Sequence, residues 1–203
     1  VSIVNCIFDV VGVEDDDNVV ISLFESDNVS IDNNIIKLEV ETNETYKNFA
    51  LYAADSDNLN ISGNTIAALL PARSINWITG DVYSQGVFLN DCDNAVLTNN
   101  TVAVKSNGQI SEYDTIYALH IVGDDATVIG NTIGVLEAPY GYALVIQGNN
   151  FNITENMIAA GENGSYACAI EVDGPSNGVI DNNQMETRGV SSYGIYTANW
   201  NGD

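Results

Sequence analysis

Polar and apolar positions along the chain follow a repeat that uneven spacing partly hides. Its core reads Asn-x-x-Ile-x-x-Asn-x-Ile with some drift. It occurs as Asn28, Ile31, Asn34, Ile36, then as Asn58, Ile61, Asn64, Ile66, and then as Asn94, Leu97, Asn100, Val102. It continues through Asp125, Val128, Asn131, Ile133, through Asn150, Ile153, Asn156, Ile158, and through Asn177, Ile180, Asn183, Met185. The first residues fit as well, with Ile3 and Phe8 at apolar positions and Cys6 where the second asparagine would stand. Markers at 6, 34, 64, 100, 131, 156 and 183 are spaced by 28, 30, 36, 31, 25 and 27 residues.

A second block precedes each marker and alternates as small-apolar-x-apolar. Examples are Ala50-Leu51-Tyr52-Ala53, Gly86-Val87-Phe88-Leu89, Ala118-Leu119-His120-Ile121 and Ala169-Ile170-Glu171-Val172. A third alternating stretch follows the marker, as in Ile36–Val40 and Val102–Lys105. Period-two alternation predicts half-buried strands. Each repeat therefore holds three short strands and three turns, and helical periodicity is scarce. Repeats of this length with that content predict an all-β fold, a single-stranded right-handed parallel β-helix of about seven coils. At the spacing of paired strands the stack would rise roughly 34 Å. Ile, Leu and Val would face inward, and Asn34, Asn64, Asn100, Asn131, Asn156 and Asn183 would stack as a ladder at one corner. There their amides would satisfy turn backbone, and their tolerance of left-handed geometry would suit the bend. Length variation concentrates in the connection from the third strand to the next coil, which is longest over 71–84 and short at Leu136–Gly141.

Charge changes the functional picture. The 203 residues carry 28 acidic and 5 basic side chains, for a net charge of −23. Nucleic acid is excluded as a partner, since binding phosphate needs a basic footprint. No apolar run approaches the ~20 residues that span a bilayer, so this segment inserts into no membrane as a helix. A hydrophobic fraction of 45% is enough to build a core.

The coil pattern resembles the pectin lyase-like superfamily of right-handed parallel β-helices across essentially the whole chain. Within that group, the loose asparagine coils, the acidity and the many Asn-x-Ser/Thr triplets resemble archaeal adhesin-like surface proteins, especially those of methanogens. The resemblance implies an extracellular segment at a cell surface or wall, continuing covalently into further repeats, with no recognisable cap at either end. Superfamily enzymes attack acidic polysaccharides with a Gly-His-Gly motif and an Arg-x-Lys pair, or with calcium and a basic proton abstractor. Here the single histidine, His120, lies between Leu119 and Ile121, and neither Arg73 nor Arg188 precedes a lysine by two residues. The strong negative charge would repel a polyuronate. The expectation is a binding or stalk segment that is not an enzyme, with a polysaccharide-active lyase or hydrolase as the rival.

Candidate chemistry falls into three groups. Tyr52, Phe88, His120 and Tyr196 occupy outward positions of the first strand, and Tyr117 and Tyr142 join them from what the pattern reads as turns, together with Tyr83, Tyr113, Tyr140, Tyr166 and Tyr193. A row of exposed rings can pack against sugars, so polysaccharide or a cell-surface partner is the expected ligand. The shallow groove would be walled by the loops around Trp77 and Tyr113. Asp55, Asp57, Asp91, Asp93, Asp124 and Asp125 fall in the turn after the first strand, with Asp27, Asp57, Asp93 and Asp125 expected to stack. No cofactor is required; calcium is the cation such carboxylates would suit, although no EF-hand spacing is present. Among the N-glycosylation triplets, Asn43 and Asn163 are the most accessible by this pattern. Cys6, Cys92 and Cys168 lie two or more coils apart, beyond reach of a disulfide, so three free thiols are expected.

Overall fold

The computed structural model describes residues 1–12, 17–40, 47–70, 73–74, 84–106, 114–174 and 177–198, with the side chains of 73–74, 114 and 162–165 outside the description. Those residues form an all-β parallel solenoid of about six turns, three strands to a coil, close to the seven coils the repeat predicts. Among them no helix is long and apolar enough to cross a membrane.

The middle strands are three residues each, from Ser2–Val4 to Val179–Asp181, and make one seven-stranded parallel sheet. Its register follows the repeat, pairing Ile3 with Ile31, Ile31 with Ile61, Ile61 with Leu97, and so on to Ile153 with Ile180. These side chains point inward because every second residue of a strand shares a face. The third strands contribute Ile36, Ile66, Val102, Ile133 and Ile158 to the same interior, and the first strands Leu51, Val87, Leu119, Leu144 and Ile170. The core is thus a set of stacked apolar columns with every coil covering its neighbour.

Third and first strands belong to one 13-stranded sheet. Where the connection is described between Thr132–Leu136 and Tyr140–Gln147, residues 137–139 separate them. In the sixth and seventh they run on as Met157–Asp173 and Gln184–Ala198. The connecting segment there is only a few residues, so the chain crosses the corner without leaving the ladder. The one antiparallel pairing among the described residues joins Arg73–Ser74 to Asp114–Thr115, where the longest connection returns to the sheet.

The asparagine ladder is present, and its bonding is regular. Each Oδ1 accepts both the backbone N–H and the Nδ2 of the preceding asparagine, as Asn100 does from Asn64 at 2.9 and 3.0 Å. Each Nδ2 also donates to the carbonyl of the residue three before the preceding marker, as Asn100 does to Ile61 at 2.8 Å. Asn34, Asn64, Asn131, Asn156 and Asn183 repeat the pattern. Cys6 begins the column by donating its N–H to Asn34 Oδ1. The structure corrects one detail. The left-handed residue at this corner is the one before the marker, in the series Asn5, Asn33, Gly63, Asn99, Gly130, Glu155 and Asn182. The marker itself must keep an ordinary backbone so that its side chain turns inward along the axis.

Candidate functional site

The outer face of the first strands carries the aromatic residues that the repeat singles out. Register stacks Ser22, Tyr52, Phe88, His120, Val145, Glu171 and Tyr196 in one column, in the order the sequence predicts. A second column three residues earlier holds Phe49, Gln85, Tyr117, Tyr142, Cys168 and Tyr193. The residue that follows the second column is alanine or glycine in each coil from Ala50 to Gly194. At Gly86 even a methyl group would lie 2.5 Å from Val104 and 2.7 Å from the Ala118 carbonyl.

Rings from the two columns interlock into a continuous stack. Phe49 lies 5.2 Å from Tyr52 and 5.8 Å from Phe88, and Phe88 lies 4.8 Å from His120. The path continues from His120 to Tyr117 at 5.5 Å, to Tyr142 at 5.0 Å and to Tyr166 at 5.3 Å. It ends through Tyr193 at Tyr196. These separations suit offset or tilted aromatic packing. Tyr140 joins the edge through Tyr166.

Two expectations are corrected. Tyr117, Tyr140, Tyr142, Tyr166 and Tyr193 sit in strands and not in turns. They come from the segment just before the small residue, which the four-residue block did not include; Phe49 was missed for the same reason. Nor is the whole strip exposed: His120 and Tyr117 each retain only 8% of their surface, because neighbouring rings cover their faces. Tyr196 is exposed, and Tyr52, Phe88 and Tyr142 are half-buried. Trp77, Tyr83, Tyr113 and Asn43 lie outside the described residues, as does the side chain of Asn163.

The middle of this face has an unusual polar composition. Ser84 Oγ, both amide atoms of Gln85 and both ring nitrogens of His120 are buried without any hydrogen-bond partner. Desolvation holds the His120 pKa down at about 4, so the ring is neutral at pH 7. Toward the C-terminal end Glu171 meets the rings of the tyrosine cluster. Burial first, then the Asp173 charge, pushes its carboxyl up to about 7. Burial also raises Asp173, against the stabilising 2.9 Å hydrogen bond donated by Gln147 Nε2. Burial and Glu171 raise the Cys168 thiol to about 12, leaving it a poor nucleophile.

The acidic turn makes a different structure from the one expected. Asp27 Oδ1 accepts the Asp57 N–H at 2.9 Å, Asp57 accepts that of Asp93 at 2.9 Å, and Asp93 that of Asp124 at 2.7 Å. Asp124 in turn accepts from Asn149. Asp124 therefore takes the place foreseen for Asp125, which falls in the left-handed column with Asn28, Asn58, Asn94 and Asn150. The repeat itself aligns Asp125 with Asn28, Asn58 and Asn94, so the residue before it carries the acidic column. Among the described residues no group of three or more His, Cys, Asp or Glu side chains is placed to hold a metal ion, Asp55 and Asp91 included. All three cysteines are free thiols, with Cys6 exposed and Cys92 and Cys168 buried.

No protein-family model, curated protein or solved structure matches the chain.

Proposed function

We propose that the chain is part of a cell-surface, adhesin-like protein, a rigid β-helical stalk whose first-strand face binds polysaccharide outside the cell. The observation that carries this is the unbroken run of rings from Phe49 to Tyr196, which crosses the coils along the solenoid axis. An extended row of that kind fits a polymer better than a small molecule. Contact through ring faces should be weak at each site and gain strength from many copies on one surface. The likeness to the pectin lyase-like superfamily and to archaeal adhesin-like proteins is consistent with it. Further coils would cover the apolar residues that the end coils leave exposed, among them Ile7, Val11, Val179 and Ile195. A glycan array probed with the purified chain tests the proposal; binding to no polysaccharide leaves only a spacer.

A second reading rests on Glu171 and Asp173. A carboxyl held near 7 beside another carboxyl is the arrangement of a general acid in glycoside hydrolysis. Release of reducing sugar from neutral or acidic polysaccharides, lost in Glu171→Gln, would support it.

A further inference from the structure

All the partnerless buried side-chain atoms found among the described residues belong to Ser84, Gln85 and His120. This is not scatter along the solenoid. Gln85 lies in register between Phe49 and Tyr117, and His120 in register between Phe88 and Val145. Gln85 and His120 occupy neighbouring coils on the outer face, inside the ring stack, whereas Ser84, next to Gln85 in the strand and in register with Asn48, points to the opposite face, toward the core. Elsewhere this chain pairs its buried polar groups: the column that reaches Ser84 begins with Asn18 donating to Asn48 at 2.9 Å. A buried amide without partners costs roughly 1–3 kcal/mol, so a persistent cluster of orphans needs an occupant to explain it.

The geometry points to a binding subsite for one uncharged sugar unit, built from Gln85 and His120 and roofed by Phe88 and Tyr117. It rests on the polysaccharide-binding reading above and specifies the ligand class. The amide offers a donor and an acceptor, and the neutral imidazole one of each. That set matches the alternating donors and acceptors of vicinal sugar hydroxyls. Glu171 and Asp173 lie two coils from His120 on the same face, so a carboxylated sugar would meet repulsion. The Phe88 or Tyr117 ring swings aside to admit the sugar and closes on its apolar face.

The test uses a soluble neutral β-glucan, a soluble mannan and polygalacturonate as probes. Affinity electrophoresis and thermal melts would be run on the parent chain, Gln85→Leu and His120→Phe. Expected is binding of a neutral polymer that weakens at least tenfold in both variants while Tm stays level or rises. His120 is the only histidine, so its imidazole NMR signals give a second readout on the unaltered chain, and they should shift when the bound polymer's oligosaccharide is added. Unchanged affinity in both variants, or unmoved imidazole signals on binding, overturns the subsite and leaves the aromatic reading standing. Preference for polygalacturonate overturns the ligand class. No binding of any probe by the parent overturns both.

Discussion

The asparagine corner and the Gln85–His120 nest are both sets of buried polar groups on neighbouring coils, yet they are opposites in bonding. At the corner, every rung meets the one before it and the one after, and central residues such as Asn100 use four hydrogen bonds. In the nest, the four side-chain polar atoms of Gln85 and His120 have none. The difference is one of repetition. A column in which every coil carries the same amide can pair with itself at the coil spacing, whereas Gln85 is followed by Tyr117, whose phenol does not bond it, and His120 by Val145, which has no polar group. Self-complementarity holds a solenoid together; a break in it is where the molecule can accept something else.

The largest expected effect comes from breaking the satisfied column. Asn100→Ala removes four bonds and strands the Asn64 N–H and the Ile61 carbonyl in the interior, costing ~3–6 kcal/mol. Thermal melts should fall by about 10 °C or more. Asn183→Ala, at the half-buried end of the ladder, should lose less; equal losses would mean the ladder bonds are not what stabilises the corner.

The second expectation is a pH effect. The folded His120 pKa lies near 4, below the ordinary 6.5. The unfolded chain therefore binds the extra proton first, and stability falls as pH drops from about 6.5 toward 4, by ~3 kcal/mol at most. His120→Phe should flatten that limb in a pH series of melts. Glu171 works in the opposite sense. Its folded pKa is raised to about 7, so the native state holds the proton more tightly and stability declines as pH rises from about 4.5 to 7. Because the carboxyl is partly exposed, the effect should be modest, and Glu171→Gln should remove it.

A smaller change is expected from Gln85→Leu, and its sign matters most. Replacing an orphaned buried amide with an apolar side chain of similar size should raise Tm by a few degrees. A fall would show that Gln85 is structurally satisfied and dissolve the contrast with the corner. Smallest of all should be Tyr196→Ala, where the ring is exposed at the end of the stack; its effect is expected on polysaccharide retention, with Tm shifted by only a degree or two.

Much of the fold was legible in the sequence because a solenoid writes its coil into every repeat. The inward columns of Ile31, Ile61 and Leu97, the ladder of Asn64 and Asn100, and the outward series from Ser22 to Tyr196 all follow from period two and the marker spacing. Less of the site could be read this way. The repeat block began at the small residue, so Phe49 and Gln85 stood outside it, although the small residue itself signals that the strand continues on its other side. The acidic turn misled by a single residue, although the repeat itself aligns Asp125 with Asn28, Asn58 and Asn94 and so leaves the acidic column to Asp124.

The sequence by itself determined which residues stack, because coils of like pattern can bury their apolar positions only in register. It also determined that the asparagines would form the corner, since an inward amide there can pair with both the amide and the backbone of the neighbouring coil. What the tertiary structure alone decided is which outward groups are actually outward. Exposure of His120 depends on rings contributed by Phe88 one coil away and Tyr117 one turn of the pleat earlier, and no local pattern encodes that coverage. The same packing left Gln85 and His120 dry and unpaired, because hydrogen-bond satisfaction is a property of the space between coils and not of any one of them.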